Sequence, residues 1–191
     1  MTADPAGRVR WTPDPKKLRL ATYTIEHILS LPDDAPRVEL SDGVMMVVPA
    51  PTYDHQDISG LLWLWLRQHA PREFRASHAT GILVSLNTTF EPDVLLVDAG
   101  VTGSNHFAPP DQVTLVVEVV SRGTENRDRL EKSANYAAEG IPHYWRVEQN
   151  PIHIFAYDLV DGQYQAVADS AEVLSLRSPF AMELPIRDIT P

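Results

Sequence analysis

The stretch "TLVVEVVS", Thr114 to Ser121, decides the fold. Five of its eight residues are Leu or Val, the composition of a strand covered on both faces in the interior of a sheet. Glu118 sits inside it. An unpaired carboxylate there would cost roughly several kcal/mol or stay protonated. The strand therefore requires a partner for Glu118: a base, a metal ion, or water in a cleft.

Downstream, "TENRDRLEKSANYAAEGIP" (Thr124 to Pro142) reads as a helix with both ends marked. Thr124 is the candidate N-cap, and Gly140 followed by Pro142 is the stop. Asp128, Lys132 and Tyr136 are spaced four apart and share one face. Leu130, Ala134, Ala137 and Ile141 lie on or near a more apolar one. A lysine on a helix leaving the Glu118 strand can reach back over the end of that strand. The alternative for Lys132 is a surface pair with Asp128, worth about a few tenths of a kcal/mol. "HYWRVE", "IHIFAYDL" and "YQAVAD" follow as strands, the last two joined near Asp161-Gly162. "EVLSL" and "FAMEL" are expected to finish the sheet.

Upstream, "PDVLLV" and "GILVSL" read as strands, with Asn87-Thr88 in the turn between them. In "DHQDISGLLWLWLRQHA", Ile58, Leu61, Leu62, Trp65 and Leu66 form a helical stripe that Asp54 could cap. "RVELSDGVMMVV" is a hairpin around Ser41-Asp42-Gly43, and "TYTIEHILSL" is a short helix ending before Pro32. Residues 1–19 are polar and Pro-rich and read as a flexible arm, leaving 20–191 as a single domain. The order of helices and strands predicts an α/β (α+β) fold, one mixed β-sheet with helices packed against it.

Composition limits the function. The 191 residues are 43% hydrophobic and 22% charged, ordinary for a soluble globular protein. Sixteen Lys plus Arg against 26 Asp plus Glu give a net charge of −10, which argues against an extended non-specific nucleic-acid surface. Cys is absent, excluding disulfides, thiolate zinc sites and a thiol nucleophile. No apolar run is long enough to span a membrane, and the N-terminus has no apolar signal core, so a cytoplasmic protein is expected.

Three acids stand out. Glu39 is expected to end the first strand of the hairpin, Asp93 opens "VLLV" after Pro92, and Glu118 lies within its own strand. If the Asp93 and Glu118 strands pair, both carboxylates can point into one cleft. Converging carboxylates repel unless a cation neutralises them, and hard oxygen ligands without Cys suit Mg²⁺ or Mn²⁺. The alternatives are a structural ion pair for Glu118 and turn chemistry for Asp93. His55, at the start of its helix, could approach the carboxylates or serve as a cap.

The segments "RVELSDGVMMVVPAP", His55-Gln56, "EPDVLLV", "VVEVVSRGTENRD", "EKSANYAAEGIPHYW" and "VEQNP" together resemble the Uma-two family. These are endonuclease-like proteins of the PD-(D/E)XK restriction-endonuclease-like superfamily, and the resemblance runs from about Thr22 to Tyr164. It implies a restriction-endonuclease-like mixed β-sheet flanked by helices, with a metal-dependent phosphodiesterase site. By that resemblance Asp93 and Glu118 match the motif acids, and Glu39 matches the acid of the "EL-x-DG" segment. The superfamily pattern has Lys two residues after the acid; here that residue is Val120, and the following helix offers Lys132 instead.

The implied reaction is hydrolysis of a nucleic-acid phosphodiester, DNA first, with Mg²⁺ or Mn²⁺ held by Asp93, Glu118 and Glu39. The Val119 carbonyl is a possible further ligand. Lys132 would position water or stabilise the transition state, with His55 in support. Arg122, Arg127, Arg129 and Lys132 stand against Glu125, Asp128 and Glu131, a barely basic surrounding unless a homodimer pairs two clefts. The rival readings are a nuclease-fold binding or regulatory module without cleavage, and a hydrolase of small phosphorylated molecules.

Overall fold

Asp42 and Gly43 both take positive φ, 48° and 78°, and this turn closes the hairpin read from the sequence. In the computed structural model, residues 22–101, 106–120 and 132–191 are described, together with the backbone of two short N-terminal strands, β1 (Thr2–Ala3) and β2 (Val9–Arg10). The rest of the N-terminal arm and the expected helix start at Thr124 lie outside the described residues. The chain divides into two compact units, Met1–Ala50 with Leu83–Phe90, and Pro51–Ile82 with Glu91–Pro191.

The first unit holds helix α1 (Ile25–Leu29), the hairpin strands β3 (Val38–Ser41) and β4 (Val44–Val47), and β7 (Thr88–Phe90). Thr24 caps α1 in a box with His27. β7 lies antiparallel to β3 at Leu40↔Thr89, and the Thr89 hydroxyl accepts from Leu40 N at 3.2 Å. Thr88, expected in the turn, begins this strand instead. Buried Thr88 and Thr89 are both β-branched, and the turn moves back to Leu86-Asn87.

The second unit is built on one mixed sheet. In chain order it holds α2 (Tyr53–His69), β5 (Phe74–His78), the first two residues of β6 (Gly81–Ser85), β8 (Val94–Asp98) and β9 (Phe107–Ala108). Then come β10 (Val113–Val119), α3 (Lys132–Ala138), β11 (His143–Gln149), β12 (Ile152–Val160) and β13 (Gln163–Ser170). Last are β14 (Val173–Leu176) and β15 (Met182–Pro185). The six-stranded sheet runs β13-β12-β11-β10-β8-β5. β10 and β11 are parallel; the other pairs are antiparallel. The parallel pair demands a crossover, and α3 belongs to it.

The apolar stripe of α2 lies on the sheet: Ile58, Leu62, Trp65 and Leu66 are buried with Leu115, Val117, Val119 and Trp145 in one core. Leu115, Val117 and Val119 of β10 face that core. Even residues face the other side, and there Glu118 is buried. Two expectations are corrected. Thr52, not Asp54, caps α2: its side chain accepts from His55 N at 3.3 Å, while Asp54 already lies in the first turn. β14 and β15 do not finish the sheet but form a hairpin of their own. It buries Leu174, Met182 and Leu184 in the core, so the apolar residues find cover without a place in the ladder.

Candidate active site

Glu118 stands on the penultimate residue of β10, 3% exposed. Its partner is Lys132, 5% exposed, whose Nζ donates to Oε1 at 3.1 Å and to Oε2 at 3.2 Å. One helical turn on, the Tyr136 hydroxyl donates to Oε1 at 2.7 Å. The i, i+4 spacing brings both donors to the acid from one helix face. Lys132 is thus buried on Glu118; Asp128, the other partner offered by the sequence, lies outside the described residues.

The ladder Val116↔Leu95, Val117↔Val94 leads to Asp93 level with Glu118. Asp93 Oδ2 accepts from Val119 N at 2.7 Å, tying the residue before β8 to the end of β10. His55 Nε2 lies 3.3 Å from the same oxygen. His55 is buried at the start of α2, and burial lowers its pKa. The hydrogen bond and charge of Asp93, the Val119 backbone and the Glu118 charge together outweigh burial and raise it above the ordinary value. The Asp93 and Glu118 carboxylates thus act on one imidazole. His55 Nδ1 has no hydrogen-bond partner among the described residues.

Val120, where the superfamily pattern has its lysine, is buried just past the end of β10. Its N–H donates to the Val147 carbonyl, and its own carbonyl accepts from Gln149 Nε2 at 2.7 Å. The ammonium comes from α3 instead. Glu39 belongs to the first unit, where it is buried on β3 opposite Met46. Arg122, Arg127 and Arg129 lie outside the described residues. Tyr136 shares the Lys132 face in the sequence without an expected role; its spacing of four from Lys132 was the available signal. Among the described residues, no group of three or more His, Asp or Glu side chains is arranged to hold a metal ion.

A mixed sheet flanked by helices, with an acid inside a central strand and a second acid level with it just before the neighbouring strand, defines the restriction-endonuclease-like class of α+β proteins. The crystal structure of a putative nuclease belonging to DUF820 from Anabaena variabilis is similar, with a TM-score of 0.66 at 17% identity, over 87% of this chain and 96% of that one. The chain belongs to the Uma2 family, whose model, described as "Putative restriction endonuclease", matches residues 25–187. No curated protein matches it.

Proposed function

We propose that the protein is a divalent-metal-dependent endonuclease that hydrolyses nucleic-acid phosphodiester bonds, with DNA as the first substrate to test and the cytoplasm as its compartment. The observation that carries this reading is the buried Glu118–Lys132 pair level with Asp93. Family membership supports it.

Asp93 and Glu118 fit Mg²⁺ or Mn²⁺. Both are hard oxygen donors, and Mg²⁺ commonly takes only one or two carboxylates and keeps several waters, so a third protein ligand is not required. When bound, the ion supplies Lewis acidity and lowers the pKa of a coordinated water. Lys132 holds a cation against Glu118, where it orients water or offsets charge developing on phosphoryl oxygens. Val119 N holds Asp93 at the end of β10, and His55 holds it from α2. A ligand role for the Val119 carbonyl and for Glu39 rests on the sequence reading alone.

Cleavage of DNA, RNA and nucleotides is measured with Mg²⁺ or Mn²⁺, beside Glu118→Ala. Metal-dependent cleavage of DNA that vanishes in the variant is the expected result. Activity on nucleotides alone would favour the small-phosphoester hydrolase. Silence of the wild type on every substrate would favour the binding or regulatory module, a reading that Val120 and the net charge of −10 support.

A further inference from the structure

Tyr136 is fully buried, yet it carries a hydroxyl. A buried phenol without an acceptor is costly, and Glu118 supplies one. That bond is directional. Tyr136 donates to Oε1, whereas Lys132 lies almost equally close to both oxygens. The phenol therefore adds a bond on one oxygen to the near-symmetric hold of the lysine.

The phenol is itself held. Its ring lies 6.2 Å from that of Tyr144, and Tyr144 packs on Tyr157 at 5.8 Å and on Tyr164 at 5.4 Å. Tyr164 is tied in turn, donating to the Ile141 carbonyl at 2.9 Å. A stack of tyrosines across β11, β12 and β13 therefore fixes the ring whose hydroxyl reaches Glu118.

We propose that Tyr136 is a positioning residue that orients the Glu118 carboxylate for the divalent ion. The proposal rests on the metal-dependent reading above. Groups that hydrogen-bond a metal-ligating carboxylate commonly change ion affinity by about 10–100-fold when removed.

The test is Mn²⁺ binding by the intact protein, followed as loss of the free-ion electron paramagnetic resonance signal. Wild type is compared with Tyr136→Phe, Tyr164→Phe and the pair Glu118→Gln and Glu118→Gln/Tyr136→Phe. Near-ultraviolet circular dichroism reports whether each variant keeps its packing. Tyr136→Phe should weaken Mn²⁺ binding by about 10–100-fold. Tyr164→Phe removes a hydroxyl from the same stack without touching Glu118, and it should bind as wild type does. In the Glu118→Gln background, loss of the Tyr136 hydroxyl should change binding no further. Equal weakening in Tyr136→Phe and Tyr164→Phe would overturn the proposal in favour of general loosening of the core. Undiminished binding by Tyr136→Phe would overturn it alone. Absence of Mn²⁺ binding by wild type would overturn both it and the metal-dependent reading.

Discussion

Lys132 and Glu118 depend on each other, because neither charge reaches much water. Removing one member of such a pair strands the other and commonly costs about 3–5 kcal/mol. Lys132→Met should therefore lose stability on that scale in urea unfolding. Glu118→Gln/Lys132→Met should lose clearly less than the sum of the single changes. Strict additivity would mean that the pair contributes nothing. If the proposed chemistry holds, Lys132→Met should also lower cleavage by about 10²–10³-fold under conditions where it remains folded. Lys132→Arg should restore only part of it, because a planar guanidinium does not reproduce a compact ammonium. Normal cleavage by both variants would move the catalytic assignment away from Lys132.

At the scale of elements, two local devices have measurable consequences. Gly43 sits at φ 78°, and a Cβ there would overlap Thr22 Cγ2. Gly43→Ala should lower the melting temperature, with a loss of about 1–2 kcal/mol from the left-handed backbone alone. An unchanged melt would show that the turn relaxes. At the start of α2, Thr52→Ala should cost about 1 kcal/mol, the usual worth of a side-chain cap. Asp54→Ala should cost only about a few tenths, since Asp54 is exposed in the first turn and acts on the helix through its charge. The reverse ranking in urea unfolding would return the cap to Asp54.

For the molecule as a whole, charge and ion binding are coupled. If Asp93 and Glu118 hold a divalent ion, Mg²⁺ or Mn²⁺ should raise the melting temperature by mass action, about 2.7 kcal/mol at a hundred times the dissociation constant. Glu118→Ala should abolish the gain, and an equal gain in the variant would remove Glu118 from the ligand set. Nucleic-acid binding should weaken steeply with salt from a modest starting affinity, given the net charge of −10. Salt-independent affinity would place recognition outside phosphate contacts. Among the described residues, no helix is long and apolar enough to cross a membrane.

The sequence by itself determined what depends on neighbours along the chain. The Asp42-Gly43 and Asp161-Gly162 turns, the α2 stripe and the buried strand around Glu118 are short-range patterns, and each formed as read. The need of Glu118 for a partner was equally legible, because a carboxylate in an apolar strand is costly wherever the strand lies. What only the tertiary structure decided was the identity of that partner. Asp128 and Glu118 were both open to Lys132 in sequence; burial of the lysine on Glu118 followed from the crossover from β10 to β11. His55 and Asp93 are 38 residues apart in the sequence, and Asp93 meets Val119 only because β8 pairs with β10. The independent β14–β15 hairpin has the same cause. Apolar residues require cover, but their pattern does not say whether a sheet ladder or a separate hairpin brings them to it.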